Sequence, residues 1–214
     1  MNRRTLILLV ALVALVPVLS GCFGVAAIGV GAGALVFADR RQAETIVTDE
    51  GIEIRTGNRI AEKFGDRVHV NVTSYNRTVL LTGEAPDAAA KAEIEKIVEG
   101  VPNVKAINNE LRLGTVSTLG NRSNDTFITS KVKARFIDAS QFSVNHVKVV
   151  TENSVVYLLG LATQREASAA VEIARTTAGV QLVVRLFEII SDADARRLDP
   201  PPAPTGKPAA QTAP

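Results

Sequence analysis

The 214-residue chain contains no tryptophan, one cysteine and two histidines, and only 4% of it is aromatic. One thiol cannot close an intramolecular disulfide. One thiol and two imidazoles fall short of four ligands, so a structural zinc site is ruled out on ligand count and no metal is expected. With so few rings, stacking platforms for bases are scarce. Charge of one sign is lacking too: 24 Lys and Arg face 22 Asp and Glu, net +2, which excludes a nucleic-acid binder working through bulk basicity. An apolar share of 46% excludes a mostly disordered chain. There is no Gly-x-Ser-x-Gly elbow. Carboxylate pairs such as Glu93 and Glu95 point to different sides of a helix and read as solvated charge. No catalytic constellation emerges, so an enzyme is not expected.

The apolar residues are unevenly placed. Positions 1–38 hold 27 of them, and the rest of the chain has an ordinary soluble content of about 41%. Asn2-Arg3-Arg4 is a short basic start, and Leu6 to Leu19 is a 14-residue stretch that is apolar but for Pro17. This is the pattern of a secretory signal. Leu19-Ser20-Gly21-Cys22 then resembles the bacterial lipobox, in which the chain is cut before the Cys and the Cys is acylated. The resemblance implies a covalent N-acyl diacylglycerol at Cys22 and no other cofactor. Phe23, not Asp, follows the Cys, which by the same resemblance implies the periplasmic leaflet of the outer membrane. An uncleaved transmembrane anchor is the competing reading, but the apolar run is short for a span. Phe23 to Ala38 is apolar over 16 residues, with glycines at 24, 29, 31 and 33, and reads as a tether at the lipid surface. Gly29-x-Gly31-x-Gly33 lacks the strand–turn–helix surroundings of a phosphate loop.

The remainder contains a repeat. Val70-x-Val72-Thr73, Asn76, Val79, Leu81 and Gly83 match Val147-x-Val149-Val150, Asn153, Val156, Leu158 and Gly160 at an offset of 77. Gly100-Val101-x-x-Val104 matches Gly179-Val180-x-x-Val183 at 79. A period this long means duplicated domains rather than a solenoid. Each copy reads helix, strand, strand, helix, strand. In copy one the expected elements are a helix over 49–64, strands beginning at Val68 and over 79–82, a helix capped by Asp87 and stopped by Gly100, and a strand over 104–113. In copy two, Asn124 or Asp125 caps a helix to about Ile137, a hairpin crosses Glu152-Asn153, and a helix over 163–178 precedes a strand over 180–190. His69 and His146 flank the first strands in separate modules and are expected to be partly exposed. About 65 residues per copy gives a thin core, a reason for the modules to pack together.

This plan, the Gly after the hairpin and the Gly-Val-x-x-Val after the second helix resemble the BON domain. Two such copies behind a lipobox resemble the DolP-type outer-membrane lipoproteins. Asn71-Val72-Thr73-x-Tyr75, Ser123-Asn124-Asp125-Thr126-Phe127-Ile128-Thr129 and Gly160-Leu161-x-Thr163-x-Arg165-Glu166-Ala167 carry the likeness. The expected fold is α+β: two tandem αββαβ domains, each a small three-stranded mixed sheet on two helices. The expected organisation is a signal over 1–21, anchor and tether over 22–45, first domain over 46–114, linker over 115–123, second domain over 124–191 and a disordered tail over 192–214. Six of the nine prolines fall between Asp199 and Pro214, a departure from the compact ending such a protein should have. The resemblance implies binding of anionic phospholipid, support of envelope integrity and a link to cell division. It places lipid contact on the first helix of the second domain.

Charge and helical geometry point to the same helix independently. Residues 46–114 carry 9 basic and 11 acidic groups, and residues 121–191 carry 8 and 6. The first helix of copy one, over 49–64, is net −1, while residues 121–136 are net +3. Anionic headgroups would attract the second and weakly repel the first. At about 100° per residue, Ile128, Val132 and Phe136 form the core stripe, and Phe127, Ser130, Lys131 and Ala134 lie on another. An aromatic beside basic residues on a wet face is the composition of an interfacial helix. Phe127, Ser130, Lys131, Ala134 and Arg135 are therefore the candidate phospholipid-binding residues, with the free N–H groups of the helix start as an added phosphate site. For Phe127 the competing reading is burial in a domain interface; for Lys131, Lys133 and Arg135 it is an ordinary solvated face. The functional alternative is a scaffold on which copy one docks an envelope protein. No nucleic-acid partner is expected.

Overall fold

The computed structural model describes residues 39–199, and Cys22, the tether and the Pro-rich tail beyond Asp199 lie outside them. The first domain runs α1 (Ala43–Phe64), β1 (His69–Tyr75), β2 (Thr78–Ala85), α2 (Ala88–Glu99), β3 (Ala106–Asn109) and β4 (Arg112–Leu113). The second runs α3 (Leu119–Ala139), β5 (Lys148–Glu152), β6 (Val155–Ala162), α4 (Gln164–Arg175) and β7 (Leu182–Ile189), followed by a short α5 (Asp192–Leu198). In each sheet the middle strand pairs antiparallel with its hairpin partner and parallel with the strand that returns after the helix. The fold is α+β, as expected.

Alternation along the middle strands explains the architecture. Val79 and Leu81 of β2 meet Ile52, Ile60 and Phe64 of α1 and Ile94 and Val98 of α2 in one core. Val156 and Leu158 of β6 meet Ile128, Val132 and Phe136 of α3 and Ala170 and Ile173 of α4 in another. The residues between them face the other way: Tyr75 and Leu80 of the first domain pack with Tyr157, Leu159 and Leu161 of the second in a third cluster. The two sheets thus cover each other, helices outermost. Both faces of β2 and β6 are buried, which is why β6 reads as a near-continuous apolar run; β2 does so only over Val79–Leu81, with Thr82 and Glu84 buried beyond it.

Several expected boundaries move, for one physical reason. Asp49 and Asp125 look like helix starts in the sequence, but they lie inside α1 and α3, buried at 2% and 5% exposure. Each holds a hairpin turn. Asp49 accepts from the N–H groups of Asn76 (2.8 Å) and Arg77 (2.7 Å), and Asp125 from those of Asn153 (2.9 Å) and Ser154 (2.8 Å). All four turn residues have positive φ, between 50° and 64°, the two-residue geometry that fits strand twist but strains non-glycine side chains. The helices therefore begin earlier. α1 starts at Ala43, inside the span expected to be tether, and α3 starts at Leu119, capped by Thr118, inside the expected linker. The hairpin of copy two turns at Asn153-Ser154, one residue later than expected.

The strand expected over 104–113 is broken. Asn109 and Lys91 take the backbone of Leu111, whose side chain turns into the core, so the ladder resumes only at Arg112. The glycine after each hairpin has a steric reason: a Cβ on Gly83 or Gly160 would fall 2.0 or 2.2 Å from the carbonyl oxygen of His69 or His146.

The expected disordered tail over 192–214 also needs correction, since its first seven residues form α5, capped by Ser191. Asp199, just after it, joins a buried ion cluster. Arg40, 3% exposed, donates to both carboxylate oxygens of Glu166 (2.7 and 2.9 Å), both of Asp199 (2.7 and 3.2 Å) and the Leu161 carbonyl (2.9 Å). Glu166 closes a capping box with Thr163 at the start of α4. His146 is buried here rather than partly exposed, with Nε2 3.3 Å from Asp199 and no hydrogen-bond partner at Nδ1. Burial and the Arg40 charge push its pKa down.

Two expectations follow. Asp125→Ala leaves two turn N–H groups without acceptors and destabilises the protein by about 2–4 kcal/mol in urea unfolding; a loss below about 0.5 kcal/mol would show that water replaces the carboxylate. The second concerns acid. Burial alone would raise the Glu166 carboxyl, but the bonds from Arg40 and Thr163 outweigh it and hold the pKa at about 2 instead of 4.5. A depressed folded-state value contributes stability above the unfolded pKa and loses it on acidification, here between pH 4.5 and about 2. Arg40→Met should therefore flatten the fall of the urea midpoint across that window; an unchanged slope would contradict the assignment.

Candidate functional site

α3 buries Ile128, Val132 and Phe136 completely, as its period requires. On the opposite face Phe127 is 62% exposed, which removes the interface-burial reading. The Lys131 ammonium stands over its ring, 4.7 Å from the centroid, and also donates to the carbonyl of Ala178. That carbonyl comes close because residue 179 is glycine. A Cβ on Gly179 would lie 3.1 Å from Ile128 and 3.3 Å from the Lys131 Nζ, and its φ is +99°. The Gly-Val motif after α4 thus seats its loop against α3 and fixes the lysine over the phenylalanine.

Ser130 and Ala134 are exposed beside Phe127, the Ser130 hydroxyl donating to the Thr126 carbonyl (3.0 Å). Arg135 is placed differently. Its Nη1 donates to the Ile173 carbonyl (2.8 Å) and to the hydroxyls of Thr177 (2.8 Å) and Thr176 (3.1 Å), which cap the carbonyl end of α4. The structure brings four of the five expected residues onto one surface, while the fifth, also exposed, turns its guanidinium to the carbonyl end of α4. The helix start does not join them: with α3 beginning at Leu119, its free N–H groups lie about 12 Å from Phe127 along the axis. A further member was missed. Ile137, 60% exposed, follows Ala134 by three residues and Ser130 by seven, so it extends the apolar centre of this face. That spacing is legible in the sequence once the helix is known to reach Ala139.

Over their full lengths α3 carries four basic and two acidic residues, α1 three and five. The α1 surface also exposes Val47 (69%) and Ile54 (63%), with the Arg55 guanidinium over Gly51 between them, on a helix whose acidic residues outnumber its basic ones. No helix among the described residues is long and apolar enough to cross a membrane. One group among them could hold a metal: His69, Glu84 and Glu152, between the domains. Burial raises the Glu152 carboxyl, while at Glu84 bonds from Asn153 and Ser117 overcome burial and lower it.

The BON domain model matches residues 48–115 and 124–191, and the chain belongs to this family, with the paired-domain plan of the DolP type. It is 34% identical over 175 residues to the outer membrane lipoprotein DolP of Haemophilus influenzae, covering 80% of this chain and 90% of that protein. It is also 34% identical over 154 residues to a 21 kDa hemolysin of Actinobacillus pleuropneumoniae, covering 71% and 79%. To the osmotically-inducible protein Y of Escherichia coli it is 28% identical over 117 residues, covering 53% and 58%. The relationship to DolP supports an outer-membrane lipoprotein of the bacterial envelope.

The position of Arg135 predicts a structural role. Arg135→Ala should lower stability by about 1–2 kcal/mol in urea unfolding through loss of the α4 cap, and a change of no more than a few tenths would return this residue to the lipid-facing set.

Proposed function

We propose that this protein is anchored by acylated Cys22 to the periplasmic leaflet of the outer membrane and binds anionic phospholipid through the exposed face of α3. There it supports envelope integrity. The observation that carries this reading is the pairing of an exposed Phe127 with the Lys131 ammonium above its ring. The ring enters the acyl boundary while the ammonium stays at headgroup level, where it neutralises a phosphate. Ser130 and Ala134 let the helix approach closely, Ile137 adds apolar area, and Lys133 adds charge on the far flank. Arg135 acts indirectly by holding α4 against α3. Anchor and helix act together through effective concentration, so headgroup contacts weak in isolation suffice.

The scaffold reading keeps one supporting observation. Val47 and Ile54, seven residues apart on acidic α1, form an exposed apolar stripe that suits a protein partner better than an anionic surface.

The test uses the chain from residue 39 onward, without acyl groups or the apolar tether. It should sediment with phosphatidylglycerol vesicles, less so as salt is raised, and not with phosphatidylcholine vesicles. Phe127→Glu should weaken vesicle binding about tenfold or more with an unchanged circular dichroism spectrum. Unchanged binding by that variant would sink the assignment to α3.

A further inference from the structure

The seam between the domains holds a cluster that lipid binding leaves unused. His69 opens β1, Glu84 lies near the end of β2, and Glu152 closes β5 in the other domain. Their side chains are 15%, 7% and 5% exposed. His69 Nδ1 is 3.2 Å from Glu84 Oε2 and 4.0 Å from Glu152 Oε1, and one atom from each residue fits within a 4.8 Å group. No Lys or Arg among the described residues pairs with either carboxylate, so two buried acids share one imidazole. Burying like charges this close is unfavourable unless a cation or protons join them.

The orientation of the side chains selects between those. Asn71 Nδ2 donates to Glu152 Oε2 (2.7 Å), Asn153 Nδ2 to Glu84 Oε1 (2.8 Å), and the Ser117 N–H to Glu84 Oε2 (3.0 Å). The remaining Glu152 oxygen, Oε1, receives no donor among the described residues, although the residue is 4% exposed, and it points at His69 Nδ1. A cavity of about 340 Å³ touches His69, Asn71 and Glu152 and is lined as well by the opposed charges of Arg122 and Asp125, which gives water and ions a way in. Tetrahedral coordination at 2.0–2.1 Å places neighbouring ligand atoms about 3.3 Å apart; the His69–Glu84 separation of 3.2 Å matches this, and Glu152 Oε1, 4.0 Å from the imidazole, has to close in on an arriving ion. One imidazole with two carboxylates suits borderline ions such as Zn²⁺, whereas Ca²⁺ and Mg²⁺ favour oxygen alone.

We propose that His69 Nδ1, Glu84 Oε2 and Glu152 Oε1 form a divalent transition-metal site of the zinc class, completed by water and shared by the two domains. Two ligands come from the first domain and one from the second, so the ion fastens the sheet-to-sheet seam. Metal binding then stabilises the paired arrangement by linkage.

The full chain, purified in detergent without a histidine tag and stripped by a chelator, is titrated with Zn²⁺ in a calorimeter. One Zn²⁺ per chain is expected, with a rise in melting temperature. Since losing even an outer-sphere partner weakens metal sites about 10–100-fold, His69→Gln and Glu152→Gln should each weaken binding at least tenfold. His146→Gln, at the other histidine, should leave it unchanged. If a seam variant fails to fold, X-ray absorption on the wild-type zinc complex decides, with one imidazole and otherwise oxygen expected in the first shell. Absence of saturable uptake, binding that survives Glu152→Gln, or a shell with sulfur or two imidazoles would overturn the proposal. None of these outcomes depends on lipid binding.

Discussion

A module of about 65 residues with two helices on one side of a three-stranded sheet leaves the other side bare, and everything else in this molecule follows from covering it. Duplication supplies the cover. Tyr75 and Leu80 from one sheet and Tyr157, Leu159 and Leu161 from the other make the shared layer. Around it the polar residues at the sheet margins find partners across the seam: Asn71 with Glu152, Asn153 with Glu84, Lys148 with Glu53, Asn76 with Glu188. Each domain's sheet is thus an inner layer of one larger object, and the helices are left to face outward.

That division separates the two duties of a duplicated fold. Positions that build each module from within keep their character in both copies, as the Asp49 and Asp125 turn clamps and the Gly83 and Gly160 close approaches show. Outward positions were free to diverge. α1 became acidic with an aliphatic stripe, and α3 became basic with a phenylalanine beneath a lysine.

The element types, the repeat and the core stripe of α3 were legible because each rests on local periodicity. Ile128, Val132 and Phe136 are buried as their spacing demands. The boundaries were not, because an aspartate that holds a distant turn looks the same in sequence as one that caps a helix. Only the fold reveals that Asp125 reaches Asn153 and Ser154, 28 and 29 residues away. The same limit hid the His69 cluster. A count of thiols and imidazoles ignores carboxylates, and Glu84 and Glu152 meet only after the domains pair. Arg135 was legible as a surface cation but not as a cap, since its acceptors on α4 lie 38 to 42 residues on.

The Arg40 cluster has a mechanical meaning. The chain enters the folded unit at Arg40, yet the guanidinium is fixed to Glu166 and Asp199, in and just beyond the second domain. Tension applied ahead of Arg40 therefore divides. Part runs through the backbone into α1, and part passes across the guanidinium into the start of α4 and the end of α5. A single side chain makes both domains share the pull from the moment it arrives, so neither is peeled away from its partner first.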